Sequence, residues 1–238
     1  MAAPSCPIVT IDGPSGSGKG TISRAVAQRV GWHFLDSGVL YRLVALAGSN
    51  AGAAEGDAAR HAELAAHMQV EFRAGAGGGE VRLDGRDVTS AIRSEEVGRG
   101  ASRVAAWPAV RDALLARQRA FARPPGLIAD GRDMGTVVFP GAQLKIFLTA
   151  SAQERAVRRH KQLKNKGSDV SLAALSREIA ERDLRDQTRQ VAPLKAAPDA
   201  CLIDSTGLPV EDVVGRVLEL GAARRLWPGE LAATRTEG

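Results

Sequence analysis

The sequence predicts an α/β protein built on a parallel sheet with helices on both faces. Three observations carry that expectation. The short apolar runs Ile8-Val9-Thr10-Ile11, Leu127-Ile128-Ala129, Lys145-Ile146-Phe147-Leu148 and Cys201-Leu202-Ile203 are separated by stretches of helical spacing, as βαβ units require. The first run leads through a Gly-rich turn into a helical pattern carrying Ile22, Val26 and Val30. Polar motifs stand directly after the runs, where the carboxyl edge of a parallel sheet gathers its functional loops.

Composition narrows the class. The 238 residues, 44% hydrophobic and 25% charged, suffice for one large domain with a modest insert. No run approaches the roughly 18 apolar residues of a membrane span, and the opening MAAPSCP has neither the basic nor the apolar region of a secretory signal, so a cytoplasmic protein is expected. Cys6 and Cys201 are far apart without a C-x-x-C partner, which excludes a zinc ribbon and a dithiol redox site. The net charge of +5 suits an anionic partner. Aromatic residues, at 4%, do not interleave with a basic stripe, so a phosphorylated metabolite fits better than a single-stranded nucleic acid.

The middle of the chain breaks the alternation. Val70 to Phe72, a flexible Ala74 to Gly79 connection, Val81 to Leu83 and Asp87-Val88 read as an antiparallel hairpin with a third short strand, and Asp84-Gly85 supplies a second turn. Helical stretches around Ser94 to Ala106 and Ala109 to Arg123 follow, and Pro124-Pro125 ends the last of them. Residues 63–123 are therefore expected to be an inserted subdomain within a single 1–238 domain.

Gly13, Pro14, Ser15, Gly16, Ser17, Gly18, Lys19, Gly20 and Thr21 come straight after a strand and open an amphipathic helix, the context that makes a Gly-x4-Gly-Lys match a phosphate loop. Glycines allow successive N–H groups to point into one concavity, the helix start adds its positive end, and Lys19 brings an ammonium to the β and γ phosphates of a nucleotide. Gly20 follows Lys19, so the hydroxyl that usually assists Mg2+ is displaced to Thr21.

A kinase needs a second anion site facing the first. Asp36-Ser37-Gly38 with Tyr41-Arg42 one turn on is either a capped helix or such a site. Asp130-Gly131-Arg132-Asp133 ends an apolar strand with an acid able to hold Mg2+ through water and an Arg able to fork a phosphate. Further on, Arg155 and Arg159 share one helix face at i and i+4. Arg182, Arg185, Asp186 and Arg189 follow at i, i+3, i+4 and i+7 on a second helix. The polar segment between the two, with Gly167 and Ser168, reads as the hinge of a lid over residues 161–172.

Taken together, IDGPSGSGKGT at Ile11–Thr21, LDSGVLYR at Leu35–Arg42, IADGRDMGTVVFP at Ile128–Pro140, ERDLRD at Glu181–Asp186 and RQVAPLK at Arg189–Lys195 resemble the bacterial cytidylate kinases, a nucleoside monophosphate kinase family. The resemblance covers nearly the whole chain. It implies a P-loop NTPase-type five-stranded parallel sheet, an inserted α+β nucleotide-binding subdomain and a short lid. It also implies γ-phosphoryl transfer from ATP, with Mg2+, to CMP or dCMP, and a monomer with no obligate nucleic acid and no membrane. By this resemblance Lys19, Arg132, Arg155, Arg159 and Arg182 are catalytic, and Thr21 and Asp130 hold the metal. Asp36, Ser37, Arg42, Arg132 and Arg182 surround the acceptor phosphate. Ser102, Arg111 and Asp133 match base-reading positions, and Asp186 and Arg189 positions near the sugar. A carboxylate at Asp133 accepts from the cytosine amino group and repels O4 of uracil. Read from the residues alone, Asp133 has a second, less favoured reading as a structural partner for Arg132 or for a helix end.

Overall fold

Five consecutive buried residues make strand β1 (Ile8–Asp12), the pattern of a strand covered on both faces at the centre of a parallel sheet. The computed structural model describes residues 6–73, 79–165 and 170–228. After β1 come α1 (Lys19–Val30), β2 (His33–Asp36), α2 (Ser37–Asn50) and α3 (Ala58–His67), then β3 (Val70–Arg73), β4 (Glu80–Leu83) and β5 (Arg86–Asp87). Helices α4 (Glu95–Val104) and α5 (Pro108–Arg119) precede β6 (Leu127–Gly131) and β7 (Leu144–Thr149). The described chain closes with α6 (Ala152–Lys164), α7 (Leu172–Thr188), β8 (Cys201–Asp204) and α8 (Val210–Ala223).

The chain divides into two compact units, one formed by residues up to Asp36 together with those from Arg119 onward, the other by Ser37–Gln118. In the first, five strands form one sheet in the order β2-β6-β1-β7-β8, every neighbouring pair parallel. Counting only this sheet's strands, the order is 2-3-1-4-5, so the chain moves to one side of β1 and later to the other. The carboxyl end of β1 is thus the switch point where ligands of open α/β sheets bind.

The pleat sorts β1 by chemistry. Val9 and Ile11 enter a core with Ile22 and Val26 of α1, Ile128 of β6, Ile146 and Leu148 of β7, Ile203 of β8 and Val213, Val214, Val217 and Leu218 of α8. Each such side chain contributes roughly 1.5–3 kcal/mol by leaving water. Thr10 and Asp12 alternate to the opposite face. There a π-helical turn, Met134–Val138, packs so closely that a Cβ on Gly135 would stand 2.8 Å from Thr10 Oγ1.

The second unit holds an antiparallel sheet in the order β3-β4-β5. Asp84 (φ 49°) and Gly85 (φ 80°) both turn left-handed between β4 and β5, the geometry of a two-residue hairpin turn. Asp57 caps α3 by accepting from the Arg60 N–H, and Ser94 caps α4 by accepting from the Val97 N–H. The Ala74–Gly79 connection falls, apart from Gly79, outside the described residues, as do Gly167 and Ser168 of the expected lid hinge.

Candidate active site

The turn from β1 into α1 is shaped by two close constraints. A Cβ on Gly13 would collide with the Leu148 carbonyl oxygen of β7, so no larger residue lets the loop leave the sheet this way. Gly18 is the N-cap of α1 at φ 88°, a left-handed conformation that leaves the first helical N–H groups without a side-chain cap. A 12-residue helix beginning at Lys19 thus presents a bare positive end beside the loop. Lys19 is 8% exposed, and its ammonium donates to the Pro14 carbonyl at 2.9 Å.

The adjacent strand ends bring acids to the same edge. Asp36 lies beside Asp130 in the β2–β6 register, and Asp12 beside Gly131 in the β1–β6 register. Asp130 is buried, and a Cβ on Gly20 would stand 3.2 Å from its Oδ2, so the carboxyl group reaches the first turn of α1. Burial raises Asp130 to about 7, opposed by Lys19 and reinforced by Asp36. Burial, with the charges of Arg132 and Arg182, lowers Lys19 to about 7 against the pull of Asp130 and Asp36. Thr21 is exposed on the same helical turn. Among the described residues no group of three or more His, Cys, Asp or Glu is arranged to hold a metal alone. A buried carboxylate that reaches the first turn of the phosphate-loop helix fits an oxygen-seeking Mg2+ shared with phosphate oxygens.

Arg132 follows β6 and donates through Nε to Asp186 Oδ2 of α7 at 3.0 Å. Arg182, one turn earlier on α7, joins the same field: its charge acts on both Lys19 and Asp186. The next residue, Asp133, is buried, and its Oδ1 stands 3.7 Å from Arg189 Nη2. Its side chain makes no capping bond to the turn that follows, so the helix-end role left open by the residues alone is not the one seen.

Arg155 and Arg159 lie one turn apart on α6, as their spacing predicts, but in different surroundings. Arg155 is buried and fully engaged, donating to the carbonyls of Ala150 and Ser15 at 3.0 Å and to Asp183 at 2.6 Å. It braces the phosphate loop from below. Arg159 is half-buried and bonds to Gln162. Three participants escaped the sequence reading. Arg158 donates to the Ser205 carbonyl at 2.6 Å and to Ser205 Oγ at 3.1 Å, while Ser205 Oγ donates toward the Ser17 carbonyl at 3.1 Å. Asp12, also missed, accepts two backbone N–H groups across the sheet edge.

The second unit holds the remaining predicted residues. Ser37, buried, starts α2, and Arg42 on the next turn donates to the carbonyls of Ile92 and Ser94 at 2.7 and 3.2 Å. Ser102 is buried on α4. Arg111, buried on α5, donates to the Ala105 carbonyl and lies 5.6 Å from the centre of the Tyr41 ring.

A five-stranded parallel sheet of this order, carrying a Gly-x4-Gly-Lys loop from its central strand into the first helix, defines a P-loop α/β protein of the kinase type. Comparison with known proteins makes the class specific. The family model for cytidylate kinase matches residues 9–222. A cytidylate kinase of Pseudomonas savastanoi pv. phaseolicola is 60% identical over 220 residues, covering 92% of this chain and 96% of that protein. One from Azotobacter vinelandii is 57% identical over 221 residues, with the same 92% and 96% coverage. The chain belongs to the cytidylate kinase family.

Proposed function

We propose that the protein transfers the γ-phosphoryl group of ATP to CMP or dCMP, giving ADP and CDP or dCDP. The observation that carries this reading is the convergence of Lys19, at the bare start of α1, with Asp130 and Arg132 at the carboxyl end of β6. An oxygen of the acceptor phosphate attacks the γ phosphorus in line, and the bond from that phosphorus to the bridging β-phosphate oxygen breaks. No covalent enzyme intermediate is needed. The acceptor phosphate is already largely ionised near neutral pH, so no dedicated base is required. Positioning and charge neutralisation supply the acceleration.

In this reading Gly13 to Thr21 hold the ATP phosphates and Lys19 neutralises charge on the β and γ groups. The Lys19 ammonium exchanges the Pro14 carbonyl for phosphate oxygens, which restore its full charge. Asp130 and Thr21 hold Mg2+, which screens the phosphate charge when bound. Asp36, Ser37, Arg42, Arg132 and Arg182 position the acceptor phosphate. Ser102, Arg111 and Asp133 read the base, and Asp186 and Arg189 hold the sugar. Arg159 and Arg182 meet the transferring group, while Arg155 acts by fixing the loop.

The test is ADP release at fixed ATP and Mg2+ with CMP, dCMP, UMP and AMP in turn. Release should require a monophosphate and be fastest with CMP or dCMP. ADP release indifferent to the monophosphate, or fastest with AMP or UMP, overturns the reading.

A further inference from the structure

Asp133 occupies the N-cap position of the turn Met134–Val138, the place where an aspartate ordinarily spends its carboxylate on the N–H groups that follow. Here that work is done from another strand. Asp12 Oδ1 accepts the Met134 N–H and Oδ2 the Gly135 N–H, both at 2.8 Å, in a fully buried setting. The Asp133 carboxylate turns instead toward Arg189. We infer that Asp12 is a positioning residue for base selection: by capping the turn in place of Asp133, it holds the Asp133 carboxylate in its base-reading direction and fixes it against the phosphate loop.

Three features of the chain support this. Asp12 directly precedes Gly13, so one residue joins the donor loop to the segment carrying Arg132 and Asp133. The two bonds are bidentate and each uses one oxygen, which fixes both the distance and the rotation of the turn relative to β1. Gly135 presses the same turn flat on β1, where a side chain would meet Thr10 Oγ1 and the Lys145 stem. Asparagine, the same size as aspartate, cannot replace it: one oxygen accepts one N–H, and the amide nitrogen then faces the other donor. The turn must then rotate or leave a buried N–H without a partner.

The inference rests on Asp133 reading the base, so the experiment separates the two. Asp12→Asn, Asp133→Asn and the double variant are compared with the parent for KM and kcat on CMP, UMP and ATP, with melting temperature alongside. Asp12→Asn should raise the KM for CMP and lower the CMP-to-UMP ratio in kcat/KM by about tenfold, while the KM for ATP stays within about twofold. In the Asp133→Asn background the same exchange should leave that ratio unchanged, because the carboxylate it orients is gone. A lower melting temperature with the ratio intact, or an equal rise in KM for CMP and ATP, overturns the role of Asp12 alone. An unchanged ratio in Asp133→Asn overturns the base reading beneath it. If Asp12→Asn does not accumulate as folded protein, Gly135→Ala disturbs the same turn from the other side and should lower the ratio in the same direction. An unaltered ratio in that variant refutes the inference.

Discussion

Arg132 and Asp186 form a partly buried ion pair, Nε to Oδ2 at 3.0 Å, that joins the end of β6 to helix α7. The guanidinium is held before any substrate arrives, so little of its side-chain freedom remains to be lost on binding. Arg132→Ala should therefore raise the KM for CMP and lower kcat far more than it weakens ATP binding. Steady-state kinetics with each nucleotide varied in turn checks this, and an equal loss for both nucleotides would show that the arginine does not serve the acceptor.

The partner carboxylate carries a pH signature. Burial works against the charge of Asp186, but Arg132 and Arg182 outweigh it and hold its pKa below the ordinary value of 3.8. A carboxyl group lowered on folding stabilises the native state above its unfolded pKa, and that contribution disappears as pH falls through the lowered native value. Melting temperature should thus drop on acidification below about pH 4. Asp186→Asn should melt lower at neutral pH and lose less on acidification. Parallel acid profiles for the two proteins would contradict the pairing.

Lys19→Met keeps the aliphatic stem and removes the charge. The folded protein should turn over slower by about two orders of magnitude or more, since a preorganised cation facing the transferring phosphoryl group is lost. Circular dichroism serves as the fold control. Near-parental turnover would exclude Lys19 from catalysis.

Asp133→Asn asks for a change of preference. An amide can donate to O4 of uracil or, flipped, accept from the cytosine amino group. CMP turnover should fall while UMP turnover holds or rises, shrinking the CMP-to-UMP ratio in kcat/KM by about tenfold to a hundredfold. Equal proportional loss on both substrates would show that Asp133 holds its loop in place and that another residue reads the base.

The sheet was legible where burial on both faces forces continuous apolar runs, in β1, β6 and β7, and the edge strand β8 stood out through its short Cys201-Leu202-Ile203 run although Leu202 is exposed. β2 did not. His33-Phe34-Leu35-Asp36 lies at the sheet edge with only Leu35 buried, so it carries little of that signal. α3 escaped for a related reason, since its Ala-rich run buries only His61 and Ala65. At the site, the phosphate loop was readable because its chemistry is contiguous, from Gly13 to Thr21. Asp12 and Ser205 were not, because each acts on a residue more than a hundred positions away, and Arg158 acts through Ser205, 47 positions on. Ser205 looks like any loop serine until β8 places it beneath Ser17.

The strand order has a consequence for how the chain is made. β6 lies between β2 and β1, and β1 borders β7 on its other side, with Ile8 paired to Leu127 and Val9 to Leu144. Both strands synthesised first therefore wait for neighbours that emerge only after Ser37–Gln118 has been completed. During that interval Val9, Ile11 and Leu35 have no sheet to enter, while the helices and the meander of the second unit can pack on one another. The nucleotide-binding strand β1 is made before the intervening segment, yet the intervening segment is the part that can be finished first. Until β6 and β7 emerge, both edges of β1 stay open to pairing with another chain.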